Sequence, residues 1–296
     1  MTSILPRLLA GIILSAAVTG AAAAYQTAAQ PIDGAQIATW EDLRAALPQD
    51  TRCYRETIRY NQAVLHEMTG GAVPEDDGKD WSETVIYAAY DPAGRVVATF
   101  SDAGGRLVLS LREYDRVGNH VHSVTYRNNA LLTEMTTVFD EEGREISSES
   151  RSEDKISTRS ERSYEPQPDG TTRAAVTVYD AYGAVIERDN HILDDKNRVI
   201  HSEVVLGGYT AVADYTYDDR DRLIRSVVDG ETGRSDKAMV YTDAPDGSTC
   251  AQYYENGVLQ SRTEQQFDAL GVCVLQEDYD ADGTLVMQTI REPLKM

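Results

Sequence analysis

YDPAGRVV (90–97), YDRVGNHV (114–121), FDEEGREI (139–146), YDAYGAVI (179–186), FDALGVCV (267–274) and YDADGTLV (279–286) are six copies of one phrase. Each runs aromatic, Asp, two variable residues, Gly, then an apolar stretch. Looser copies are LDDKNRVI (193–200), YDDRDRLI (217–224) and YENGVL (254–259). The starts at 90, 114 and 139 lie 24 and 25 residues apart, whereas those at 254, 267 and 279 lie 13 and 12 apart. The basic unit is therefore one strand plus one turn, too short for a helical pair, and the longer step is two units. In D-x-x-G the Asp carboxylate accepts a backbone N–H and Gly takes the left-handed position that closes a type I turn with a G1 bulge. Asn197 and Asp221 stand where Gly is expected, and these are the next residues able to adopt that conformation.

Between the turns the pattern has period two: Leu107, Leu109 and Leu111 alternate with Val108 and Ser110, and Val176 and Val178 with Thr177. SDAGG (101–105), YRNNA (126–130), GGY (207–209) and DGETG (229–233) supply the opposite turns. The fold class read from this is all-β: an antiparallel meander of repeated hairpins, about fifteen strands, forming a curved or spiral sheet, because open sheets beyond ~10 strands curl or close. The richness in Tyr, 17 against 3 Phe and 2 Trp, suits half-buried sheet surfaces.

The phrase Y-x-Y-D-x-x-G-R-L resembles the YD repeats of RHS proteins, with its closest copy at Tyr215, Tyr217, Asp218, Arg222 and Leu223. The resemblance covers roughly residues 85–290. It implies an extracellular or envelope β-repeat protein, whose large relatives wrap sheet into a shell around a C-terminal toxin. Here the step is longer and irregular, and only seventeen residues follow Tyr279, so the toxin part of that implication does not carry over.

The chain has 296 residues with 28 Lys plus Arg against 49 Asp plus Glu, a net charge of −21. Nucleic-acid binding rests on neutralising phosphates with cations, so nucleic acid is excluded as a partner. Residues 1–24 read as a secretory signal: Arg7, an apolar run, then Ala22 and Ala24 in an A-x-A pattern before Tyr25. The apolar run from Leu8 to Ala24 is 17 residues, short of the ~20 a span needs, so no stable membrane span is expected after signal cleavage. Localisation is read as exported: periplasmic, cell surface or extracellular.

Residues 25–82 read as a helical prefix and linker, and 83–296 as the repeat domain. Thr39–Asp42 (TWED) resembles a capping box opening a short helix stopped by Pro48. Residues 52–68 carry both helical and alternating patterns, and a helix ending at Gly70–Gly71 is favoured. Residues 147–170 hold Ile156 as their only aliphatic residue, which predicts a protruding hairpin or mobile loop.

No catalytic, cofactor or metal residue is assigned. Asp278, Asp280 and Asp282 open like an EF-hand loop, but position twelve is Thr289 where a bidentate Glu is required, and the triplet falls inside a repeat turn. His120 and His122, two apart, would share a strand face, but no further ligands stand at a fixed offset to complete a zinc site. Cys250 and Cys273 would lie on strands separated by a third, too far to bridge, and Cys53 could pair with either only if the N-terminal segment docks on the C-terminal repeats. Tyr90, Tyr114, Tyr179, Tyr217 and Tyr279 occupy equivalent positions, as a ladder that either covers the core or stacks on sugar rings. No G-x-S-x-G, H-E-x-x-H or P-loop is present. The reading is a non-enzymatic exported β-repeat protein, without cofactors, acting as a binding or scaffold module on an envelope glycan or protein. The alternative is an immunity or accessory protein that captures a toxin or effector, and an envelope hydrolase with dispersed carboxylates stands third.

Overall fold

The computed structural model describes residues 32–64, 81–152, 155–206, 208–231 and 233–294. The signal segment and most of the 69–82 linker lie outside the described residues. A 3-10 turn at Gly34–Gln36 and a helix α1 at Trp40–Ala46 precede eighteen strands. These are β1 Arg52–Asn61, β2 Trp81–Tyr90, β3 Val96–Ala103, β4 Arg106–Tyr114, β5 His120–Arg127 and β6 Ala130–Phe139. They continue with β7 Glu145–Ser152, β8 Lys155–Pro166, β9 Thr172–Asp180, β10 Val185–Leu193, β11 Val199–Leu206 and β12 Tyr209–Tyr217. The last six are β13 Leu223–Gly230, β14 Gly233–Asp243, β15 Thr249–Glu255, β16 Val258–Phe267, β17 Cys273–Asp280 and β18 Leu285–Pro293.

Each strand pairs antiparallel with the next in sequence, and β1 pairs with both β2 and β18. The expected curved or spiral sheet is thus a closed up-and-down barrel. Closure comes from residues 52–61, which are strand, not the helix expected over 52–68. The reason is directional. In a meander β2 and β18 run the same way, so an antiparallel seam between them needs one more strand, and β1 fills that place. Its alternating RETIRYN pattern wins because it gains two rows of backbone partners that a helix would forgo.

Glu145–Ser152 and Lys155–Pro166 likewise form β7 and β8 within the wall, not the protruding hairpin or mobile loop expected over 147–170. Two paired neighbours satisfy their backbone, and hydroxyls replace apolar contacts: Ser148 meets Ser160 at 2.8 Å, and Ser157 donates to the Ser150 carbonyl at 3.0 Å.

The two faces of the ring differ. Ala174, Val176, Ala213, Ala251, Ser202, Thr137 and Thr289 are buried and share one face by register, all the way round. The other face carries the more exposed strand residues, among them Val138, Val205 and Val240. Side chains converge on the concave side of a closed sheet, so the first face is the inner one. Inner positions are mostly Ser, Thr, Ala, Val and Tyr. Neither hydrophobic cluster among the described residues joins strands on opposite sides of the ring. The barrel is hollow, as its strand number requires.

The main hydrophobic cluster lies on the outer face. Thr39 and Asp42 form the capping box expected from TWED: Asp42 N–H donates to the Thr39 hydroxyl at 3.1 Å and Thr39 N–H to the Asp42 carboxylate at 2.9 Å. The helix then lays Trp40 and Leu43 on Cys53, Ala89, Ala98, Phe100, Leu107, Leu109 and Leu111. Trp40 stacks on Tyr87 with ring centroids 5.0 Å apart. Asn129 anchors the preceding turn, its amide donating to the carbonyls of Ala35 at 2.9 Å and Ile37 at 3.0 Å.

Candidate functional site

Six of the nine copies of the phrase build one rim of the barrel, and those starting at 179, 254 and 279 lie at the other. In the turns that start at Asp91, Asp140, Asp194 and Asp218, the N–H four residues on donates to Oδ1 and the Nε of the same arginine to Oδ2, the latter at 2.7 Å throughout. These N–H groups and guanidinium bonds hold the carboxyls of Asp140, Asp194 and Asp218 below the usual range against the opposing effect of burial. Asn197 and Asp221 occupy the left-handed position at φ 61° and 63°, as the sequence predicts. Each arginine also stacks on a tyrosine of the neighbouring hairpin: Arg95 on Tyr114 at 4.5 Å, Arg144 on Tyr164 at 4.5 Å, Arg198 on Tyr217 at 4.8 Å and Arg222 on Tyr241 at 4.3 Å. Tyr114, Tyr164 and Tyr217 donate their hydroxyls to the carbonyl just after that arginine, in Val96, Glu145 and Val199. The sequence reading assigned no role to these arginines. Their fixed place one residue after the turn Gly, or after the Asn197 or Asp221 that replaces it, was the available signal.

The five tyrosines expected as one ladder are two sets. Tyr90, Tyr114 and Tyr217 face inward at this rim. Tyr179 and Tyr279 face outward at the opposite rim, beside Arg159 and Glu161 and beside Arg262 and Glu277. A chiral hairpin turn moved to the other rim, with strand order still advancing the same way, must present its opposite face.

The remaining candidates resolve individually. Asp280 serves the turn, accepting from the N–H groups of Asp282 at 3.0 Å and Thr284 at 2.8 Å, and Asp278 accepts from Thr263 at 2.6 Å and Gln276 at 2.9 Å. His120 and His122 do not share a face. A bulge between the pairs Glu113↔His122 and Tyr114↔His120 separates them, leaving His120 against the Tyr114 ring and His122 at 2.9 Å from Glu134. β1 does dock on β18, yet Cys53 lies under α1 on the outer face while Cys273 sits inside near Arg291; all three cysteines are free. Among the described residues no group of His, Cys, Asp and Glu is arranged to hold a metal ion.

Two polar clusters mark the inner wall. At the seam, Arg291 and Glu56 are directly opposite across β18 and β1 and bond at 3.0 Å; Arg291 also donates to the Cys273 carbonyl at 2.7 Å. Beside them Tyr54, 3% exposed, donates to Asp268 at 2.8 Å, and burial together with that carboxylate pushes its phenol up to about 12. The second cluster, on β7, β8 and β10, comprises Glu145, Arg162, Glu187, Asp189 and His191. Burial pushes the carboxyls of Glu187 and Asp189 up and the His191 imidazole down.

The outer face is charged around the ring, with ion pairs Arg59–Glu83 at 2.8 Å, Arg159–Glu161 at 2.9 Å, Arg225–Asp236 at 2.5 Å and Arg262–Glu264 at 3.2 Å. A membrane-spanning barrel presents an outward apolar band ~25 Å tall, and this face does not. No helix among the described residues is long and apolar enough to cross a membrane.

No family model and no curated protein matches the chain, so the likeness to YD repeats rests on the phrase itself. Among solved structures it is similar to a porin-like protein from Bacteroides uniformis ATCC 8492, at 11% identity over 81% of this chain and 97% of that one, TM-score 0.32. It is similar to the TcdB2-TccC3-Cdc42 structure at 12% identity, covering 75% of this chain and 20% of that one, TM-score 0.23. A third is an exported protein with a YmcC-like fold from Bacteroides fragilis NCTC 9343, at 8% identity over 84% and 97%, TM-score 0.22.

Proposed function

We propose that this protein is an exported, non-enzymatic β-barrel that acts as a binding or scaffold module at the cell envelope or outside the cell. The observation that carries this is where its reactive groups are spent. The carboxylates of the repeat close turns, the arginines stack on tyrosines, and neither is left poised against a nucleophile. What remains is a hollow wall lined by hydroxyls, suited to holding a polar ligand. The test is affinity capture with residues 25–296 as bait against envelope and secreted fractions, alongside turnover assays on whatever binds. A saturable ligand that is recovered unchanged supports the reading, and conversion of that ligand by pure protein refutes it. A second reading, capture of a basic effector protein, is favoured by the net charge of −21, since opposite charge speeds encounter. Its mark would be a stoichiometric protein partner that dissociates with salt.

A further inference from the structure

The cluster on β8 and β10 gathers more unpaired buried polar atoms than any other patch of the inner wall. Seven buried side-chain nitrogen or oxygen atoms among the described residues have no hydrogen-bond partner, and three of them sit here: Arg162 Nε, Asp189 Oδ1 and His191 Nδ1. The strand between explains how they meet. On β9, Val176 is directly opposite both Arg162 and Asp189, and Ala174 is opposite both Tyr164 and His191. Small residues on the middle strand let the long side chains of its two neighbours lean over it. Ser202 stands opposite His191 on β11 and adds a hydroxyl to the same wall.

Leaving a buried polar atom unpaired is costly, so three in one patch mark groups kept for something that binds. Their chemistry restricts what that is. Arg162 Nε–H donates, the Asp189 carboxyl, which also hydrogen-bonds Glu187, accepts, and His191, whose burial favours the neutral ring, does either. An anion would meet Glu145, Glu187 and Asp189. A cation would compete with Arg162, which already lies 3.3 Å from Glu145. A hydroxyl both donates and accepts, and carries no charge to be repelled. The geometry points to a saccharide subsite on the inner wall, formed by Arg162, Asp189 and His191, that takes a neutral polyhydroxylated sugar. This deepens the binding-module reading and rests on it.

The experiment is NMR titration of the whole purified protein with maltotriose, cellotriose and chitotriose, and with glucosamine and glucuronic acid as charged comparators. The His191 ring C2–H, assigned with His191→Gln, is the reporter. At least one neutral trisaccharide should shift it saturably, and the backbone amides of Ser202 and Val204 with it. Asp189→Asn and Arg162→Gln should each weaken that sugar roughly tenfold or more, the loss of a hydrogen bond to a charged group. Asp214→Asn on the outer face should leave the affinity unchanged within about twofold. The amide shifts decide the question in the unmodified protein if a variant does not fold. The subsite is overturned if no neutral trisaccharide moves these signals, if either charged sugar binds tighter, or if both variants keep full affinity. A silent His191 in a protein that still captures an envelope partner would sink the subsite and leave the module reading. Hydrolysis of the bound sugar would do the reverse.

Discussion

Glu56→Gln tests whether the β1–β18 seam locks the barrel. Glu56 and Arg291 are cross-strand partners in the β1–β18 pair that closes the ring, and their side chains are 13% and 18% exposed. The substitution keeps the shape and removes the charge. Arg291 retains its bond to the Cys273 carbonyl, but its charge is left buried without a counter-charge. Breaking a buried pair from one side costs about 3–5 kcal/mol, so about 3 is expected here given the surviving bond. In urea unfolding this lowers the midpoint by about 1 M at a slope near 3 kcal/mol per M. Replacing both residues, as Glu56→Met with Arg291→Met, should cost less than the sum of the single changes, with a coupling of at least ~1 kcal/mol. Hydrogen exchange of β1 and β18 amides should accelerate in Glu56→Gln more than that of β12 and β13. Strict additivity, or a cost of Glu56→Gln under ~1 kcal/mol, would refute the idea that this pair holds the ring shut.

Other consequences are as direct. A Cβ at residue 34 would overlap the Tyr126 ring, so Gly34→Ala should cost about 1–3 kcal/mol and red-shift Trp40 fluorescence as α1 lifts off, read in a Trp81→Phe background. Asn197 sits at φ 61°, so Asn197→Gly should stabilise by up to ~1 kcal/mol, whereas Gly143→Ala at φ 77° should destabilise by about that amount, both from thermal melts. Acid should unfold the protein in two stages. His120 and His191 are held neutral by burial, so below their unfolded value of about 6.5 the unfolded chain takes up more protons and stability falls. The turn carboxyls of Asp115, Asp140, Asp194, Asp218 and Asp268 are depressed, so their contribution is present above about 3.9 and is lost as pH falls below it. Glu187 and Asp189, raised, act oppositely and lose their contribution as pH rises through their folded values. Urea midpoints against pH in His120→Gln with His191→Gln should lack the upper stage; persistence of that stage would contradict the assignment.

The turns were legible because their chemistry is local. Asp, Gly and the residues that replace Gly define the backbone of four positions without reference to anything distant, and Asn197 and Asp221 obey that rule in the fold. The α1 cap was legible for the same reason. The inner-wall cluster was not, since Arg162, Asp189 and His191 are ordinary polar positions in sequence and meet only because Val176 and Ala174 are small on the strand between. Pairing the histidines on one face failed at a single bulged residue, which reverses every side chain beyond it.

The sequence by itself determined the strand and turn unit, its antiparallel meander, and which residue closes each turn. Tertiary structure alone decided that β7 and β8 need no apolar face, because a hollow wall is held by its two neighbours. It alone decided that residues 52–61 are strand, because only an eighteenth strand can pair antiparallel with both β2 and β18 and leave the ring no open edge.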